Sequence, residues 1–186
     1  MSNLKKVILI QTDITTFAVQ AIVNSANKSL LGGSGLDYII HKKAGPLMKT
    51  ECIQLHQEKG GCSTGQAEVT TAGNLPAQYL THAVGPRWLD GERNEPQLLC
   101  DAYSNAIMKA NHVGVKTISF PNISTGVYGF PRQLAAEIAI GTILSTLPQY
   151  DCVEEVFFVC RDDENYLIYK EILSNINDPK IKIQIE

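Results

Sequence analysis

The chain has 186 residues, 44% of them hydrophobic and 19% charged, the size and composition of one globular domain, residues 1–186, with enough apolar material for a sizeable core. No apolar run approaches the ~20 residues that span a bilayer, and the opening MSNLKKVILIQTDI lacks the apolar stretch and small-residue cleavage site of a secretory leader, so a cytoplasmic location without a membrane partner is expected. A formal net charge of −3 argues against broad, nonspecific binding of nucleic acid, and an anionic ligand would have to be held locally by oriented backbone donors.

KVILIQTDI (Lys6 to Ile14) and QAIVNSA (Gln20 to Ala26) are short β-branched runs that read as buried strands ending in polar residues. The spacing of Leu36, Ile40 and Ala44 predicts a short helix stopped by Gly45-Pro46, and LMKTECIQLHQEKGG a second helix ending in paired glycines. AEVTTAG and YLTHAVGP read as strands. Asn94 is the expected cap of a helix with Leu98, Leu99, Ala102, Tyr103, Ala106 and Ala110 on one face, closing near Gly114. After the strand KTISFPN, Pro131 suits the first turn of a helix carrying Leu134, Ala135, Ile138 and Leu147 inward and stopping at Pro148. VEEVFFVC then reads as a strand and DDENYLIYKEIL as a helix, while the alternating tail KIKIQIE fits either an edge strand or a frayed end. Strands alternating with helices predict a three-layer α/β/α domain whose central sheet is largely parallel.

The five cysteines, Cys52, Cys62, Cys100, Cys152 and Cys160, are odd in number and show no C-x-x-C spacing. Reduced, mostly buried thiols are expected, rather than a disulfide framework or a zinc site. No Cys/His pair sits in a nucleophile motif, and no group of histidines and carboxylates has metal-ligand spacing, so neither a metal nor a cofactor is expected.

In open α/β sheets ligands collect at the carboxyl ends of strands, so the loops there carry the functional reading. Three such loops follow strands in this chain: TDIT with Asp13, the stretch NSANKSLLGGSGLDYIIH from Asn24 to His41, and NISTGVYGFP from Asn122 to Pro131. Their glycines at 32, 33, 35, 126 and 129 let backbone N–H groups approach a ligand, and a diphosphate between two such loops would suit them. GGSGLD is neither a P-loop, lacking its lysine and following Ser/Thr, nor a G-x-G-x-x-G dinucleotide turn.

Taken in order, QTDIT, AIVNSANKSLLGGSGLDYIIHKKAGP, GQAEVTTAGNLPAQYLTHAVGP, PNISTGVYGFP and FVCRDDENYLIY resemble the macrodomains, in particular the MacroD-type subgroup related to O-acetyl-ADP-ribose deacetylases, over nearly the whole chain. The resemblance implies a mixed sheet of six or seven strands between helices, ADP-ribose in a cleft at the strand ends, and hydrolysis of ADP-ribose esters. The implied partners are ADP-ribose or O-acetyl-ADP-ribose and mono-ADP-ribosylated proteins; nucleic acid enters only as an ADP-ribosylated substrate. It assigns Asp13, with the Ile14 N–H beside it, to adenine; Asn27 to the distal ribose; and Asp37 to catalysis, orienting or activating water. His41, four residues on, shares a helix face with Asp37, and Asn27, Asp37 and His41 together are the expected catalytic residues. Gly33, Ser34, Gly35 and Leu36 are expected along one side of the diphosphate and distal ribose, with Ser124, Thr125, Gly126, Val127 and Tyr128 along the other. Asn24 is expected to fix its loop, and Arg161 and Asn165 to lie at the adenosine end. Two positions depart from the pattern: Ser34 and Tyr38 stand where relatives of this type commonly carry glycine, and Tyr38 either reshapes the pocket or points outward from its helix. The same loops would also serve a module that reads ADP-ribose or poly-ADP-ribose without cleaving it.

Overall fold

In a computed structural model, which describes residues 4–186, the apolar runs become seven strands of one sheet flanked by five helices. Met1 to Asn3, the first residues of the opening expected to carry no leader, lie outside the described residues. In chain order the elements are β1 (Lys5–Gln11), β2 (Ala21–Ser25), α1 (Leu36–Ala44), α2 (Pro46–Lys59), β3 (Ala67–Thr71), β4 (Tyr79–Ala83), α3 (Glu95–His112), β5 (Thr117–Phe120), α4 (Arg132–Thr146), β6 (Glu155–Cys160), α5 (Asp163–Ser174) and β7 (Ile181–Ile185). The strands lie in the order β3-β4-β2-β5-β6-β1-β7, and every neighbouring pair is parallel except β3 with β4.

A parallel sheet must be covered on both faces, which is why its strands are apolar on both sides. Val7, Leu9, Ala21 and Val23 point to the layer formed by α3, α4 and α5, where they meet Tyr103, Ala139 and Tyr169. Ile22, Leu80 and Val159 point the other way, onto Ile40 and Ala44 of α1 and Met48 and Cys52 of α2. The expected three layers are therefore present, with the sheet in the middle.

Several boundaries differ from expectation for identifiable reasons. β1 stops at Gln11 rather than Ile14, because the Asp13 carboxylate accepts hydrogen bonds from the Thr15 N–H (2.9 Å) and hydroxyl (2.6 Å) and turns the chain. Asn94 sits at the amino end of α3 but makes no capping bond with its side chain. The buried Glu95 carboxylate gathers the loop before the helix, accepting from the N–H groups of Leu89, Asp90, Gly91 and Arg93. Burial pushes its pKa up, but these donors outweigh that push and hold it at about 2. Pro131 lies one residue before α4, and Pro148 falls in a 3₁₀ turn, Leu147–Gln149, after the helix. The tail is ordered as an edge strand, Ile183 lying opposite Val7 of β1.

Candidate active site

The carboxyl ends of β1, β2, β5 and β6 converge on one cleft of about 530 Å³, within the size range of small-molecule sites. Thr12, Asp13 and Ile14 enter it after β1, Ser25 at the end of β2 with Ala26 and Asn27 after it, Pro121, Asn122 and the stretch Ser124 to Tyr128 after β5, and Arg161, Asp162 and Asn165 after β6. Gly33, Ser34, Gly35, Leu36 and Asp37 close the remaining side. The structure thus gathers the residues expected to line the ligand. His41 is the exception, because it stands behind Asp37 rather than in the cleft wall.

Two glycine-bearing loops make the walls. The Gly129 and Phe130 N–H groups fold the β5 loop back onto the Gly126 and Ser124 carbonyls, whereas those of Thr125 to Tyr128 meet no backbone acceptor among the described residues and remain available to an anion. Opposite them, α1 begins at Leu36 with the unpaired N–H groups of a helix amino end. A Cβ on Gly33 would lie 3.1 Å from both Asn27 Nδ2 and Asp37 Oδ2, a tight contact to which these side chains would have to yield. Gly85, just after β4, is held more strictly, since a Cβ would fall 2.1 Å from the hydroxyl of Ser124.

Where β1 and β6 open into the cleft, Asp13 uses Oδ1 for Thr15 and leaves Oδ2 near Lys43 Nζ (3.7 Å) and Arg161 Nη1 (3.6 Å). The Thr15 hydroxyl and these cations keep its carboxyl below the usual range. Asp162 caps α5 by accepting from the Asn165 N–H at 2.8 Å, and its second oxygen takes the Asn165 amide at 2.9 Å, fixing Asn165 at the cleft floor. Arg132, a lining residue not anticipated from sequence, pairs with Asp162 and Glu164.

At the other end, Asp37 is only 4% exposed, in the first turn of α1. Asn24 Nδ2 donates to its Oδ1 at 2.8 Å, and His41 Nε2 stands 3.3 Å from the same oxygen. Asn24 therefore holds the carboxylate rather than its own loop, which corrects the expectation for that residue. The loop is braced by Asn27, whose Nδ2 donates to the Gly32 carbonyl (2.9 Å) and whose Oδ1 accepts from the Ser29 hydroxyl (2.8 Å). Tyr38 points away, 58% exposed and absent from the cleft wall, which settles its two readings in favour of the outward one.

Behind Asn24 lies His82, opposite it in the β2–β4 register and fully buried. Its Nδ1 accepts from Asn24 Nδ2 (3.2 Å), so Nε2 carries the proton and donates to Thr70 Oγ1 (2.9 Å), which donates onward to the Thr71 carbonyl (3.0 Å). Burial, aided by nearby His41, pulls the His82 pKa down to about 4 and keeps the ring neutral. Sequence reading passed over His82; the signal was a polar residue on the apolar face of YLTHAV, in register with Asn24.

Ring nitrogens of His41 and His82 and the thiol of Cys52 come within 4.8 Å of one another, a grouping that no sequence spacing announced. These atoms are poorly disposed to a cation. His82 Nε2 is committed to Thr70, and burial pushes the Cys52 thiol up to about 12, leaving no thiolate near neutrality. All five cysteines are free.

The Macro domain family model matches residues 23–139, more than half of the chain. A Macro domain-containing protein of an Acinetobacter species is 80% identical, covering 98% of this chain and all of the relative. An O-acetyl-ADP-ribose deacetylase of Escherichia fergusonii is 49% identical, covering 91% of this chain and 96% of its own. The solved macrodomain of Oceanobacillus iheyensis with ADP superposes with a TM-score of 0.84 at 37% identity, covering 89% of this chain and 88% of its own. The chain belongs to the macrodomain family.

Proposed function

We propose that this macrodomain binds ADP-ribose in the cleft and hydrolyses esters of its distal ribose, both O-acetyl-ADP-ribose and ADP-ribose carried on aspartate or glutamate of proteins. The observation that carries the reading is Asp37: a buried carboxylate, held by Asn24, opening into a cleft between two loops rich in free N–H groups. The deacetylase name of the Escherichia fergusonii relative and the ADP in the Oceanobacillus iheyensis macrodomain support it.

Adenine lies against Asp13 and Ile14, with Arg161 and Asn165 beside it. The diphosphate takes the N–H groups of the β5 loop and of the α1 amino end, and the distal ribose reaches Asn27, Gly33 and Asp37. Because Asn24 occupies Oδ1, the Oδ2 oxygen beside Gly33 is the one left to orient a water and draw off its proton. That water adds to the ester carbonyl carbon, the acyl C–O bond breaks, the ribose hydroxyl leaves with a proton, and a carboxylic acid is freed. Neighbouring N–H groups stabilise the charge that develops on oxygen. No covalent intermediate is needed.

The test is release of ADP-ribose from O-acetyl-ADP-ribose and from a glutamate-modified protein, with ADP-ribose binding measured on the same sample. Release from both supports the proposal. Binding without release from either ester makes the chain a reader module.

A further inference from the structure

The cations that line the main cleft are neutralised: Arg132 pairs with Asp162 and Glu164, and Arg161 faces Asp13. A second cleft of about 410 Å³ adjoins it and shares Asn27 and Tyr128, so the two meet at the end proposed for the distal ribose. Its wall carries Lys28 and Arg87, with the hydroxyls of Ser29 and Thr64, and no carboxylate. Neither cation has an ion pair or a side-chain hydrogen bond among the described residues, and both are exposed. On a protein of net charge −3, the uncompensated positive charge thus lies in the cleft that adjoins the main one at Asn27 and Tyr128.

We infer that this second cleft is an acceptor subsite, which receives the polypeptide released with the carboxyl group and selects acceptors whose modified residue has acidic neighbours. The inference rests on the hydrolase reading above. Whatever is esterified to the distal ribose must leave past Asn27 and Tyr128, and Lys28 and Arg87 stand where a carboxylate one or two residues from the modified side chain would fall. Two cations in one small cleft match a few carboxylates. A nucleic-acid strand would need a stripe of cations along its backbone, and the two in this cleft do not make one.

The test compares initial rates on four substrates: O-acetyl-ADP-ribose, a peptide carrying one glutamate ADP-ribosyl ester among aspartates and glutamates, the same peptide with serine and glutamine neighbours, and an oligonucleotide ADP-ribosylated on its terminal phosphate. Wild type is set beside the K28Q/R87Q double variant. The acidic peptide should be preferred over the neutral one by about three- to tenfold in kcat/KM at low salt, the size expected of two exposed charge contacts. That preference should shrink as salt rises toward about 0.2 M. K28Q/R87Q should lose it while turning over O-acetyl-ADP-ribose at the wild-type rate. Equal wild-type rates on the two peptides, an equal loss by the variant on all substrates, or preference for the oligonucleotide would each overturn the inference while leaving the hydrolase reading in place. Failure of wild type to turn over any of the esters would remove both.

Discussion

Asn24 Nδ2 lies 2.8 Å from Asp37 Oδ1, and the same nitrogen lies 3.2 Å from His82 Nδ1, with all three side chains buried. One amide thus spends both of its hydrogens: one on the proposed catalytic carboxylate, one on a neutral imidazole that can only accept at that atom. Turning the amide over would set its oxygen against a carboxylate, so the arrangement has one stable orientation. A residue of the β-sheet thereby fixes which oxygen of Asp37 faces the cleft.

Removing that constraint should separate binding from turnover. For Asn24→Ala, kcat on O-acetyl-ADP-ribose should fall by about 10- to 100-fold, the worth of one hydrogen bond to a charged group. ADP-ribose affinity, read by calorimetry, should stay within a few-fold of wild type. His82→Phe should follow it in kcat, whereas His82→Asn, which keeps an acceptor toward Asn24, should recover part of the loss. Equal kcat for the two His82 variants would show that the ring only fills space.

His82 also sets a pH dependence of stability. Its folded pKa of about 4 lies below the ordinary 6.5, so between those values the unfolded chain binds the extra proton. Its contribution is complete above about pH 6.5 and is lost as pH falls toward 4, amounting to about 3 kcal/mol over the window. Urea unfolding at several pH values should give a slope for wild type that His82→Phe lacks; parallel curves would refute the assignment.

Gly85→Ala should destabilise the fold by about 1–3 kcal/mol, because the new methyl group would meet Ser124 Oγ at 2.1 Å and Ile123 Cγ2 at 2.5 Å. The displaced Ser124 loop is the proposed diphosphate wall, so ADP-ribose affinity should fall as well. Unchanged affinity in a folded variant would mean that the loop does not hold the ligand.

Tyr38→Gly tests the departure beside the proposed catalytic residue. The side chain is exposed on α1, so turnover should stay within about twofold of wild type, with a helix-propensity cost of about 0.5 kcal/mol. A several-fold rise in kcat would show that Tyr38 obstructs the site.

Much of this was legible in the sequence because local chemistry set it. Apolar runs such as VILI and AIV announce strands covered on both faces, Gly60 closes α2 in a left-handed turn, and the loop residues from Gly33 to Asp37 and Ser124 to Tyr128 reach the cleft together. What stayed hidden depends on lateral register. Asn24 meets His82 only because β2 lies beside β4, and Thr70 reaches the ring only because β3 runs antiparallel to β4. The Asn94 side chain makes no capping bond, and the Glu95 carboxylate beside it instead ties down four N–H groups of the loop before α3, a contact no local spacing announces. Lys28 and Arg87 are far apart in the chain, and only the fold brings them to one cleft.

The most direct measurement compares wild type with Asp37→Ala for ADP-ribose release from O-acetyl-ADP-ribose and from a glutamate-modified protein, with ADP-ribose binding measured in parallel. Asp37→Ala should bind ADP-ribose about as well as wild type and release it at least ~10²-fold more slowly from both esters. Wild-type turnover by Asp37→Ala would contradict the assignment of the reaction to this carboxylate.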